Sequence, residues 1–110
     1  MHAKVVIDAG ICGFQTVAQV AGADDQNVTF EVRSDCDKIN RLGRLLRENG
    51  PIDAYREIDP RGESVLLCMV RSTLSGCCAG CAVPVGLLKA MQVAAGLALP
   101  KDVHIQLHRE

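Results

Sequence analysis

Hydrophobic and polar positions alternate most cleanly over residues 27–33, where Val28, Phe30 and Val32 share one face and Thr29, Glu31 and Arg33 the other. A period of two marks a half-buried strand. Residues 14–21 repeat it, with Phe14, Thr16, Ala18 and Val20 set against Gln15, Val17 and Gln19. Residues 3–8 read as a shorter strand of the same kind. Gly22-Ala23-Asp24-Asp25-Gln26 carries turn residues between the second and third runs and predicts a hairpin. Together these runs predict an antiparallel meander.

The period then changes. Ile39, Leu42, Leu45 and Leu46 recur at helical spacing, Ser34 and Asp37 match a capping box, and Asn49-Gly50-Pro51 ends the run. Pro51 suits the first position of a short helix over residues 51–58. Asp59-Pro60-Arg61-Gly62 reads as a turn. Residues 63–74 are dense in Val65, Leu66, Leu67, Met69, Val70 and Leu74, which suits a buried helix more than a buried strand. Pro84 opens a helix reaching about Leu97, with Leu87, Leu88, Met91, Ala94 and Ala95 apolar. Residues 102–108 alternate once more, Val103, Ile105 and Leu107 against His104, Gln106 and His108, and predict a closing strand. The expected fold class is α+β: one domain over residues 1–110, with a small antiparallel sheet of three or four strands and helices packed on one face.

Composition narrows the chemistry. The chain has 110 residues, 48% of them hydrophobic and 3% aromatic, so Val, Leu, Ile and Ala must build the core. Net charge is −1 with both signs interspersed, which excludes a basic face for nucleic acid and a polybasic membrane patch. The start, Met1-His2-Ala3-Lys4-Val5-Val6-Ile7-Asp8, lacks the apolar stretch of a secretory signal. The weakly polar stretch from Cys77 to Pro100 is interrupted by Pro84, Lys89 and Gln92, against a membrane span. A cytosolic location is the expectation. Thiols stay reduced there and serve metal binding or redox chemistry rather than a disulfide framework.

There are six cysteines. Cys12 lies in Gly10-Ile11-Cys12-Gly13, Cys36 in Asp35-Cys36-Asp37, and Cys77, Cys78 and Cys81 in Gly76-Cys77-Cys78-Ala79-Gly80-Cys81. Cys68, within Val65-Leu66-Leu67-Cys68-Met69-Val70, reads as ordinary core. Hairpin connectivity puts Cys12 and Cys36 at the same edge of a meander. A glycine-rich loop can bring Cys77, Cys78 and Cys81 to the same place. Glycines beside thiols let backbone N–H groups approach sulfur, and helix N-termini favour thiolates. Three or four thiolates suit tetrahedral zinc or an iron–sulfur cluster. Cys12, Cys36, Cys77, Cys78 and Cys81 are therefore the candidate ligands. The rest of the polar inventory has simpler uses. Asp24 and Asp25 belong to a turn, Asp35 and Asp37 to a helix start, and His2, His104 and His108 to solvent.

The order of these features resembles the U-type iron–sulfur scaffold family (the NifU N-terminal domain and IscU). Cys12-Gly13 resembles that family's first cysteine turn, Cys36 its second cysteine after the third strand, and the Cys77–Cys81 loop its third before a late helix. The chain departs from it at Phe14, where the family carries Asp, at Asp35 and Asp37, where it carries Gly, and in lacking the L-P-P-V-K segment. The resemblance implies a scaffold, carrier or sensor of an iron–sulfur cluster, not an enzyme, with cluster donor and acceptor proteins as partners. Zinc is the alternative occupant. The segments from Asp8 to Phe14 and from Ala94 to Val103 also resemble a small uncharacterised prokaryotic Cys-rich family. Cys78-Ala79-Gly80-Cys81 carries a second reading, a thiol-redox or sulfur-relay pair, and a structural or interaction module is the third. Oligomeric state is left open by the sequence.

Overall fold

In a computed structural model, which describes residues 1–59 and 61–110, the alternating runs become β1 (His2–Asp8), β2 (Gln15–Gly22) and β3 (Asn27–Ser34). They form a continuous antiparallel meander, extended by a short β4 (Ile52–Asp53) in the order β1-β2-β3-β4. The register aligns the covered face in rows: Ala3, Val20 and Phe30; Val5, Ala18 and Val32; Ile7, Thr16 and Ser34. Ala18, Val20, Val28, Phe30 and Val32 are buried there, as their spacing predicts. The opposite face, with Lys4, Val6, Gln19, Thr29, Glu31 and Arg33, is exposed.

The helices α1 (Asp37–Asn49), α2 (Ala54–Glu57), α3 (Val65–Thr73) and α4 (Val83–Ala94) follow in the chain. Helix α1 lies on β3, α4 on β1 and β2, and α3 against α1. Two glycines allow close approach: a Cβ at Gly43 of α1 would come to 3.0 Å from Val32 Cβ, and one at Gly86 of α4 would run into Ile7. Ile39, Leu42, Leu46, Leu66, Leu87 and Met91 fill the space between helices and sheet. Each such side chain contributes about 1.5–3 kcal/mol by leaving water.

The stretch Gly76–Ala94 is apolar and long enough to cross a bilayer, with a mean hydropathy of 1.5. Here it divides into a 3₁₀ turn, Gly76–Gly80, and α4, whose Val83, Leu87, Ala90, Met91 and Ala94 are buried in the core.

Several expectations are corrected. Residues 51–58 do not make one helix, because Ile52 pairs with Val28 and Asp53 caps the next turn, accepting from the Tyr55 and Arg56 amides. The Ser34–Asp37 capping box does not form. The N-cap of α1 is Cys36, and Ser34 Oγ instead accepts from the Cys36 amide at 3.0 Å. The closing strand is absent: residues 95–110 lie outside every helix and strand, and residues 101–110 are exposed throughout. Alternation sets which side chains share a face, but a strand also needs a partner for its backbone. Helix α4 stops at Ala94 rather than Leu97, with Gly96 in the left-handed region at φ 74°. The expected turn at 59–62 is closed by the Gly62 amide donating to the Asp59 carbonyl at 3.1 Å, while Pro60 lies outside the described residues.

Candidate functional site

One end of the sheet gathers the thiols. Strand β1 ends at Asp8, β2 begins at Gln15 and β3 ends at Ser34, so the segments carrying Cys12 and Cys36 leave from the same end. Helix α4 runs away from that end. Its Gly86 faces Ile7 and Val5 of β1, whereas its last residue, Ala94, lies against Gly22 at the far end of β2. Cys81 precedes α4 by two residues and therefore sits at the thiol end, before the turn of α4 that carries Gly86.

The local structures differ. Cys12 tops a tight turn in which the Gly13 amide donates to the Gly10 carbonyl at 2.9 Å, with Gly10 at φ 103° and Gly13 at φ 73°. Those angles need glycine. Cys12 and its neighbour Ile11 are both exposed. Cys36 is half-buried as the N-cap of α1. Asp35 does not serve the helix. It clamps the segment to β2, its Oδ2 accepting from the Gln15 amide at 3.1 Å while its own amide donates to the Gln15 carbonyl.

Cys78 and Cys81 are half-buried against the core, and Cys77 is exposed. The Cys81 amide donates to the Cys78 carbonyl at 3.1 Å, a turn that brings the two residues together. Lys38, in the first turn of α1, donates from Nζ to Cys78 Sγ at 3.6 Å. That contact joins the start of α1 to the loop before α4. The sequence offered one signal for it: a lysine two residues after Cys36, on a helix start already assigned to the thiol edge.

Three helix starts at this end lack side-chain caps. They are Cys36 before α1, Ser75 before the 3₁₀ turn and Ala82 before α4. By contrast Asp53 caps α2, Ser64 Oγ caps α3 through the Leu67 amide, and Glu57 accepts from the Val65 and Leu66 amides. Among the described residues, the first-turn N–H groups of the three uncapped starts take no side-chain acceptor, and α4 has one such group fewer because Pro84 carries no N–H.

Cys68 is not core. It is exposed on α3, whose buried residues are Leu66, Val70 and Thr73. A single apolar stripe suffices for a helix lying against α1, and Cys68 falls off it. His2, His104 and His108 are exposed. Among the described residues, no three His, Cys, Asp or Glu side chains lie close enough together to hold a metal ion in the conformation seen. All six thiols are free.

This is an α+β domain with a half-buried group of cysteines at one end of its sheet. A family model described as a family of unknown function (DUF6951) matches residues 3–107, and the chain belongs to that family. No curated protein and no solved structure matches it.

Proposed function

We propose that the thiol end is a metal-binding centre, with Cys36, Cys78 and Cys81 as its half-buried ligands and Cys12 as a ligand brought in by its exposed turn. The observation that supports this reading is that segments carrying Cys12, Cys36 and Cys78 to Cys81 leave from or start at one end of the sheet, where Lys38 Nζ reaches Cys78 Sγ. A thiolate centre is anionic, and free first-turn N–H groups and the Lys38 ammonium are the partners such a charge needs. An iron–sulfur cluster is the occupant we put first, on the resemblance of the cysteine order to cluster scaffolds, and tetrahedral zinc is the alternative that the same four thiolates would suit. The role that follows is carrier, scaffold or sensor, exchanging a cluster with donor and acceptor proteins. Anaerobic reconstitution of the full chain with ferrous iron and sulfide, followed by absorbance and by iron and sulfide analysis, tests the reading. Stoichiometric iron and sulfide are expected. A protein left colourless and metal-free, with zinc offered in a parallel arm, overturns it.

A second reading is favoured by the Lys38–Cys78 contact itself: thiol–disulfide exchange. A Cys78 thiolate attacks one sulfur of a disulfide substrate and expels the other as thiolate. Cys81 then attacks the Cys78 sulfur, releasing the remaining substrate thiolate and leaving a Cys78–Cys81 disulfide. Two electrons pass from the protein dithiol to the substrate, and an external dithiol restores the protein. This reading needs only Cys78 and Cys81. Exchange with a small-molecule disulfide that is unchanged in Cys12→Ser and Cys36→Ser, in protein that takes up no metal, is its signature.

A further inference from the structure

The chain beyond α4 carries an apolar stripe that the fold does not use. Leu99 and Leu107 are each 90% exposed and Ile105 66%. Among the described residues, no backbone hydrogen bond ties residues 98–110 to the rest of the fold. The molecule extends 43 Å along one axis and 28 Å along the other two. The family match runs to residue 107 and so takes in Val103, Ile105 and Leu107. The stripe belongs to the unit that defines the family.

The same chain leaves a second feature open. Strand β1 is outermost in the sheet, and among the described residues its outward main-chain groups have no strand beside them. It is 7 residues long, in unbroken register with β2, and contains no proline. Edges of that length are normally blunted by a bulge, a proline, charged side chains or a covering segment, and of these β1 has only Lys4 and, at its end, Asp8. Residues 102–108 match β1 in length, at about 3.3 Å per residue. Addition in either direction can set Val103, Ile105 and Leu107 in line with Ala3, Val5 and Ile7 on the helix-covered face. The segment also leaves the fold beside the edge: a Cβ at Gly96 would lie 3.0 Å from Met1 Cε.

We propose that residues 102–108 of each protomer add as a strand to the β1 edge of a second copy, in a reciprocal two-fold exchange. One protomer supplies both halves of the contact, an open edge and an unpaired amphipathic strand. The exchange pairs the β1 edge with the strand carrying Val103, Ile105 and Leu107 in both copies at once, so the assembly closes as a dimer instead of growing into a fibre. The contact is main-chain pairing with alternate side chains supplying specificity.

Light scattering after size exclusion on the full chain, at micromolar concentration and under reducing conditions, tests this. The expected mass is that of two chains. Ile105→Lys, which puts a charge in the stripe, and a chain ending at Lys101 are both expected to be monomers that keep the helical circular dichroism of the intact chain and lose only strand signal. Both changes fall in a segment without regular structure, so the fold should survive them. Hydrogen exchange should show protected outward β1 amides in the intact chain and fast exchange in both variants. A monomeric intact chain overturns the proposal. So does a monomer whose β1 amides are protected, because then the segment folds back on its own edge. A dimer that persists in both variants, or an open polymer, overturns it equally.

Discussion

At the end of the sheet that holds the turn of residues 22–26, polar groups are answered by neighbours. Asp24 Oδ1 accepts from the Gln26 and Asn27 amides at 2.8 and 2.6 Å, Gln26 Nε2 donates to Asp53, and the Ala54 amide donates to the Gln26 carbonyl. The Gly22 amide donates to the Met1 carbonyl, and Gly22 itself lies against the last carbonyl of α4. At the thiol end the same sheet is finished by uncapped helix starts, an exposed glycine turn and free thiols. One end is closed by its own chain. The other keeps free thiols and uncapped helix starts, although Asp35, Ser34 and Asn40 are paired within it. The difference teaches that one sheet can carry an end tied by side-chain caps and an end whose helix starts take none.

That contrast can be probed first through the core that links the two ends. Leu87 is fully buried between α4 and the sheet. Leu87→Ala should cost about 2–5 kcal/mol, and denaturant unfolding measures it. Because α4 positions Cys81, this variant should also weaken whatever the thiol end binds.

Gly22→Ala is the next largest. A Cβ there would lie 2.7 Å from the Ala94 carbonyl oxygen and 3.0 Å from that of Asp24, both main-chain atoms that cannot swing aside. A loss of about 1–3 kcal/mol is expected, again by denaturant unfolding, with the thiol end intact in the folded fraction. An effect on ligand binding as large as that of Leu87→Ala would show that the two ends are not independent.

Asp24 sharpens the comparison through pH. The amides of Asn27 and Gln26, with the Asn27 side-chain amide, hold its carboxyl below the ordinary aspartate value. The folded state therefore favours the ionised form. Its contribution is complete above the unfolded-state range and is lost as pH falls through the lowered folded value. Asp24→Asn should be less stable than the natural chain at neutral pH, and the gap should narrow in acid. Urea unfolding at neutral pH and near pH 3 compares them; a gap that widens in acid contradicts the assignment.

The smallest effect belongs to Cys68. Its exposure on α3 predicts that Cys68→Ser changes stability by no more than about 0.5 kcal/mol.

Much of the sheet was legible because alternation is a local signal tied to burial. Val28, Phe30 and Val32 announced their face, and the turn residues at 22–26 announced the hairpin. Helix α1 and its end at Gly50 followed from apolar spacing and the glycine. What misled was signal without a counterpart. Val103, Ile105 and Leu107 alternate but meet no partner strand within the chain, and Cys68 sits in an apolar run of which only one stripe is buried. Ser34 was open to competing uses. Its Oγ meets Thr16 Oγ1 at 2.7 Å and its main chain bonds the Asn40 side chain, both contacts set by tertiary structure. At the site, hairpin logic put Cys12 and Cys36 at one end of the sheet. The Lys38–Cys78 contact and the missing caps depend on how α1 and α4 pack, which no local pattern encodes.

The claim that the thiol end is a metal centre is tested most directly by metal and sulfide content after anaerobic reconstitution of four matched proteins: the natural chain, Cys12→Ser, Cys36→Ser and Cys68→Ser. A hydroxyl is a poor ligand for a soft metal, so loss of one thiolate from a site with few ligands removes most of the binding. The account predicts full content in the natural chain and in Cys68→Ser, and a loss of most of it in Cys12→Ser and Cys36→Ser, with all four equally folded by circular dichroism. Full content in both Cys12→Ser and Cys36→Ser, or equal loss in Cys68→Ser, would contradict it.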